Sequence, residues 1–136
     1  NTNAESCTAH FIQRALVEAI EGDTSGPDAI VETLRKRRDA AVTGLNAIDG
    51  ISIAAPESTF YLFPNVTKIM ERKQLTDVNQ LMEDALVHSD VSFCTRKHFG
   101  HPLESEQDHY IRFAYSGIDV VDIEEGMSRL KVFFET

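Results

Sequence analysis

His109-Tyr110-Ile111-Arg112-Phe113-Ala114-Tyr115 is the stretch on which the fold turns. Its β-forming residues predict a buried strand, with Ile111, Phe113 and Tyr115 on one face and Tyr110, Arg112 and Ala114 on the other. A guanidinium stays charged because its pKa lies above ~12. Among apolar neighbours it needs an anion close by. No acid lies within the strand, so the anion comes from elsewhere in the fold or from a ligand. A planar fork of N–H donors fits a carboxylate in bidentate fashion. The competing reading is an edge-strand arginine whose head reaches water. Spacing alone leaves the two level.

Outward from that strand, residues 5–20 carry helical periodicity: Phe11, Ala15 and Ala19 share a stripe, with Leu16 and Ile20 beside it. Gly22 is the expected stop. Ser25-Gly26-Pro27-Asp28 opens a second helix, expected to run to about Ile48, with Ile30, Leu34, Ala41, Leu45 and Ile48 on one buried face. Ile51-Ser52-Ile53-Ala54-Ala55 alternates like a strand, and Thr59-Phe60-Tyr61-Leu62-Phe63 predicts another. Residues 67–72 suit a short helical turn. Thr76 or Asp77 can cap a helix whose inner face is Val78, Leu81, Met82, Ala85 and Leu86. Val91-Ser92-Phe93-Cys94 predicts a short strand, and 95–108 a polar loop. Ser116-Gly117 turns the chain, and Asp119 with Asp122 forms an imperfect capping box for a final helix. The expected architecture is α+β: a mainly antiparallel sheet of three or four strands covered by helices, with a long leading helix, in a single domain over 1–136.

The net charge of −9 repels nucleic acid and anionic lipid, so neither is an expected partner. The basic run Arg35-Lys36-Arg37-Arg38 would spread around a helix rather than form a stripe, as a solvated face does. No apolar run approaches the ~20 residues of a membrane span, and no secretory signal is visible. Cys7 and Cys94, far apart in such a chain, read as reduced thiols, which points to the cytoplasm. The opening Asn1-Thr2-Asn3, without an initiator Met, suggests a processed chain or a fragment.

Several chemistries compete for these residues. Cys94, His98, His101 and His109 carry zinc-type donors within sixteen positions, yet the spacing matches no standard site. Cys94 with a nearby His could form a nucleophilic dyad, but a strand-end Cys is more often a small buried hydrophobe. Ser58 and Ser116 lack the elbow of hydrolases. No Gly-rich phosphate loop is present. Glu104, Glu106 and Asp108 suit a solvated acidic face. Arg112 remains the principal site candidate.

The residues also resemble, in order, the C-terminal part of pyridoxal-phosphate-dependent aminotransferases of classes I and II, with the aspartate aminotransferase fold. Ser6-Cys7 with Phe11-Ile12-Gln13-Arg14-Ala15 is similar to the family's helix into the small domain. Arg37-Arg38-Asp39 with Leu45, and Pro56-Glu57-Ser58-Thr59-Phe60-Tyr61, resemble two further segments. Val91 through Phe99-Gly100 occupies the place of the segment ending Phe-Gly. Tyr110-Ile111-Arg112-Phe113-Ala114-Tyr115 resembles the strand bearing the substrate-binding arginine, and Asp122-Ile123-Glu124-Glu125-Gly126 with Arg129-Leu130 the closing helix.

The resemblance implies that Arg112 binds the α-carboxylate of an amino-acid or 2-oxo-acid substrate. It also implies that Phe99 and Gly100 lie near the active-site mouth and that the domain closes over the active site during amino-group transfer. It implies pyridoxal 5'-phosphate and a homodimer for the complete enzyme. The resemblance implies that the Schiff-base lysine belongs to a large domain outside this chain: none of Lys36, Lys68, Lys73, Lys97 and Lys131 stands in the family's upstream Ser-x-x-Lys segment. No catalytic or cofactor-binding residue is therefore expected in this chain, which alone should be inactive. Two departures stand out. Ser58 replaces the family's turn glycine, and Thr95-Arg96 replaces Pro-Gly, which makes Arg96 and Lys97 candidates to meet a second substrate carboxylate, a solvated basic loop being the better expectation. Two alternatives remain: a stand-alone carboxylate-binding or regulatory module, and a zinc-binding protein using Cys94 and the loop histidines.

Overall fold

A computed structural model describes residues 8–100 and 103–136. The element order is α1 (His10–Glu21), α2 (Ser25–Asn46), β1 (Tyr61–Leu62), α3 (Thr67–Arg72), α4 (Val78–Ser89), β2 (Cys94–Thr95), a 3₁₀ turn (Arg96–Phe99), β3 (Ile111–Ala114) and α5 (Val120–Glu135). The chain forms two compact units, one ending at Thr33 and the other spanning Leu34–Thr136. In the first, α1 buries none of its residues, and Phe11, Leu16 and Ile20 are exposed. The expected start of that helix at 5–7, including Ser6-Cys7, lies outside the described residues.

The second unit is an α+β layer. Its sheet has the order β1-β3-β2, antiparallel throughout. β3 is therefore the central strand, not an edge. Its side chains alternate as expected: Ile111, Phe113 and Tyr115 are buried, whereas Arg112 is half-buried and Ala114 exposed. The buried face meets Leu45 of α2, Leu81 of α4, and Ile123, Leu130 and Phe134 of α5 in one apolar core. Burying such side chains is worth about 1.5–3 kcal/mol each, which makes the hydrophobic face of β3 the main reason for its register.

Several expectations need correction. Ile51-Ser52-Ile53-Ala54-Ala55 forms no strand and, among the described residues, pairs with none. Asn46 supplies what a neighbouring strand would: its Oδ1 accepts from Ile53 N–H at 2.9 Å and its Nδ2 donates to Ile53 O at 3.0 Å. β1 is cut to two residues because Thr59 takes a left-handed φ of 67°, a conformation uncommon for a β-branched residue. The strand expected at 91–94 shifts to Cys94–Thr95. Where the ladder would continue, Phe93 and Phe113 meet ring edge to ring face at 5.3 Å. The loop expected at 95–108 opens with the 3₁₀ turn. α2 ends at Asn46, and Ile30 and Leu86, expected inside, are exposed. Asp119 makes no side-chain cap; its carboxylate instead accepts from Arg37 at 2.8 Å. Asp77, by contrast, caps α4 by accepting from Asn79 N–H at 2.9 Å.

Candidate functional site

Because β3 is central, the face opposite the core is flanked on both sides. In register, Cys94 of β2 lies opposite Arg112, and Tyr61 of β1 lies opposite Ala114. Tyr61 is thus a diagonal neighbour of Arg112 on the same face. The guanidinium carbon lies 4.3 Å from the Tyr61 ring centre and 4.4 Å from that of Phe99. Arginine stacks well on aromatic faces through its delocalised, weakly hydrated plane. One terminal nitrogen donates to Cys94 Sγ at 3.6 Å. Nε is buried without a hydrogen-bond partner.

Among the described residues no Asp or Glu pairs with Arg112. The cation is oriented by two rings and a thiol, none of which neutralises it. A buried donor without a partner is costly, about 1–3 kcal/mol. The arrangement can accept a planar anion on the edge of the fork, and a carboxylate has the matching geometry.

Phe99 is brought to Arg112 by the 3₁₀ turn, and Gly100 follows at a φ of 106°, a conformation that favours glycine. Arg96 faces this turn from within: it pairs with Glu106 at 3.0 Å and donates to the carbonyls of Phe99 and Gly100, each at 3.3 Å. Lys97 pairs with Asp77 at 2.7 Å. That bond, followed by the Asn79 N–H, holds the Asp77 carboxyl below the usual carboxylate range. Both basic residues are thus engaged within the chain, the arrangement expected of a structural loop.

Among the described residues the metal-type donors do not converge, and no group of three His, Cys, Asp or Glu could hold an ion. Cys94 faces Arg112, and Nδ1 of His98 accepts from Thr95 N–H at 3.1 Å. His101 lies outside the described residues. Tyr61, Thr95 and Asn79 carried no functional expectation, because their roles depend on cross-strand register and on a turn, neither of which is visible in spacing. The aromatic-rich Thr59–Phe63 run was the one available signal for Tyr61.

No protein-family model matches the chain. It is 30% identical over 123 residues to an asparagine–oxo-acid transaminase of Streptococcus mutans, covering 90% of this chain and 30% of that protein. It is 26% identical over 133 residues to an aspartate aminotransferase of Sulfurisphaera tokodaii, covering 98% of this chain and 32% of that protein. Among solved structures, an aromatic aminotransferase of Pyrococcus horikoshii superposes with a TM-score of 0.74 at 24% identity, over 95% of this chain and 32% of the other. The aspartate aminotransferase of Rhizobium meliloti gives 0.70 at 24% identity, over 98% and 33%. The chain spans about a third of the length of these proteins. Its fold and its relatives together identify it as the C-terminal portion of a protein of the aspartate aminotransferase fold.

Proposed function

We propose that this chain is the small domain of a pyridoxal-phosphate-dependent aminotransferase and that Arg112 receives the α-carboxylate of its amino-acid or 2-oxo-acid substrate. The observation that carries this is the guanidinium itself: on the central strand its carbon lies 4.3 Å from the Tyr61 ring centre and 4.4 Å from that of Phe99, with no acidic partner among the described residues. The transaminase and aminotransferase relatives supply the chemical context. A stand-alone carboxylate-binding module would use the same cation, but the relatives favour the enzyme.

Pyridoxal phosphate would supply the electron sink for amino transfer. The residues of this chain do not fit that cofactor. Lys97 is held by Asp77, Lys131 donates to Ala47 O at 2.6 Å, and Lys73 lies 4.0 Å over the Phe133 ring. Lys36 lines a groove between α2 and α5, and Lys68 packs at Gly50. Among the described residues none of these lysines makes a bond or ring contact with Arg112, Tyr61, Cys94 or Phe99. We assign the cofactor and its lysine to the rest of a longer cytoplasmic protein that would act as a homodimer, and this chain alone should not transaminate.

In that protein Arg112 would couple substrate capture to domain closure, since a carboxylate bound better in the closed state shifts the population toward it. Truncating one partner of a desolvated charge pair costs about 2–5 kcal/mol. In the longer enzyme, Arg112→Ala should therefore lower kcat/KM by about 10²-fold or more, and Arg112→Lys should also be damaging because an ammonium cannot copy the fork. Normal kinetics in the Ala variant would refute the assignment.

A further inference from the structure

Thr95 is a fully buried polar residue, and its hydroxyl and its amide are both used. Its hydroxyl donates to Asn79 Oδ1 at 2.8 Å, at the start of α4. The same oxygen accepts from the backbone N–H of His98, while Thr95 N–H donates to His98 Nδ1 at 3.1 Å. This is a reciprocal capping box in which a histidine stands where Glu or Gln usually does. The substitution matters chemically. A carboxylate or amide accepts throughout the physiological range, but Nδ1 accepts only when the ring is neutral and its proton sits on Nε2. The residue after His98 is Phe99, whose ring covers Arg112.

We propose that Thr95 and His98 are positioning residues that hold Phe99 over Arg112, and that the hold works only while His98 is neutral. The site thus carries an aromatic cover that loosens on acidification. Its functional meaning rests on the carboxylate reading of Arg112, but the mechanics do not. Protonation places a second donor against Thr95 N–H. Nδ1 already lies 3.0 Å from Thr95 Oγ1 and 3.2 Å from the Thr95 carbonyl, so the added proton is donated to one of these oxygens and the amide that closed the turn loses its acceptor.

His98 is exposed, so protons reach it freely. Charged groups on the neighbouring elements are engaged elsewhere. Arg96 pairs with Glu106, and Lys97 with Asp77. Asp108 accepts from the hydroxyls of Thr67 and Tyr110, at 3.4 and 3.5 Å. His109 lines a cavity of about 180 Å³ with Arg96, Lys97, Glu106 and Asp108. Among the described residues none of these forms an ion pair with the His98 ring.

The test is an NMR titration of the 136-residue chain from about pH 8 to pH 5, the range in which histidine changes charge. The Arg112 side-chain signals are displaced by the Tyr61 and Phe99 rings close to the guanidinium, and Phe99→Leu isolates the Phe99 share. In the native chain that share should fall with the midpoint of the His98 ring's own titration. Thr95→Val should reduce it at every pH. His98→Asn, whose Oδ1 can take the place of Nδ1 but does not titrate, should keep the displacement constant.

A native displacement that stays flat while His98 titrates overturns the proposal, even if every variant fails to fold. So does a folded His98→Asn chain that follows the native curve. Acetate, added at both ends of the range, separates the two ideas. Should acetate leave the Arg112 signals unmoved while the displacement still titrates with His98, the positioning role stands and the carboxylate reading of Arg112 falls.

Discussion

Gly44 offers a substitution whose sign the structure decides. It lies in α2 against α5, and a Cβ built on it would sit 2.5 Å from Met127 Cβ and 2.7 Å from Met127 Cγ. Carbon atoms rest at about 3.5–4.0 Å, so roughly 1 Å of space is missing. Rotating the Met127 side chain cannot supply it, because Cβ is fixed to the α5 backbone. The two helices must part, and Leu45 and Leu130, both fully buried, lose contact with them. Overpacking of this kind costs about 1–3 kcal/mol, and a clash between two backbone-anchored atoms belongs at the upper end. Against it, Ala for Gly inside a helix gains about 1 kcal/mol. Gly44→Ala should thus lose about 2 kcal/mol net, which at this chain length lowers Tm by about 8 °C. Gly126 in α5 is the control: its added Cβ would meet only Val91 Cγ2 at 3.6 Å. With no clash, Gly126→Ala should keep the whole propensity gain and raise Tm by about 4 °C. Calorimetric melts of both variants decide the matter. A Gly44→Ala chain melting at or above the native temperature would refute this account of the α2–α5 contact.

Thr95→Val removes the buried hydroxyl and strands the groups it served, so stability should fall by about 1–3 kcal/mol; an unchanged denaturant midpoint would count against the network. Asp77→Asn keeps a good N-cap but removes the charge that Lys97 holds. Because the folded-state pKa of Asp77 is lowered, its contribution is present above the unfolded-chain value of about 3.9 and fades as pH falls through the lower folded-state value. The gap between native and variant stability should accordingly be steady near neutrality and close in acid; a gap that widens in acid would contradict the sign. On α1, the exposed Phe11, Leu16 and Ile20 should drive concentration-dependent association in sedimentation. Leu16→Glu should weaken that association, whereas a native chain that sediments as a monomer at all concentrations would refute it.

Much of the fold could be read from residue order because its signals are local. The alternation around Arg112, the Asp77 cap and the apolar stripe of α5 each depend on neighbours a few positions away. The failures share the opposite property. Ile53 alternates like a strand residue, but its backbone is satisfied by Asn46, seven positions earlier. Asp119 has the composition of a cap, but its carboxylate is drawn to Arg37, far away in sequence. Ile30 keeps helical spacing with Leu34, and spacing does not say which part of a long helix is covered. At the site, the isolated cation was visible as a charge without an acid in its own strand. Its support by Tyr61 and Cys94 was not, because a diagonal or opposed pair exists only once three strands have chosen their register. Phe99 entered through resemblance; spacing gave it no role.

The central strand has a consequence for how such a protein can change over evolutionary time. Ile111 and Phe113 anchor the interior while Arg112, between them, looks the other way. A slip of one position in pairing would drive the cation inward and push both hydrophobes into water. Variants that fold correctly therefore inherit the placement of the cation without separate selection, and drift in the interior has little freedom to move it unnoticed.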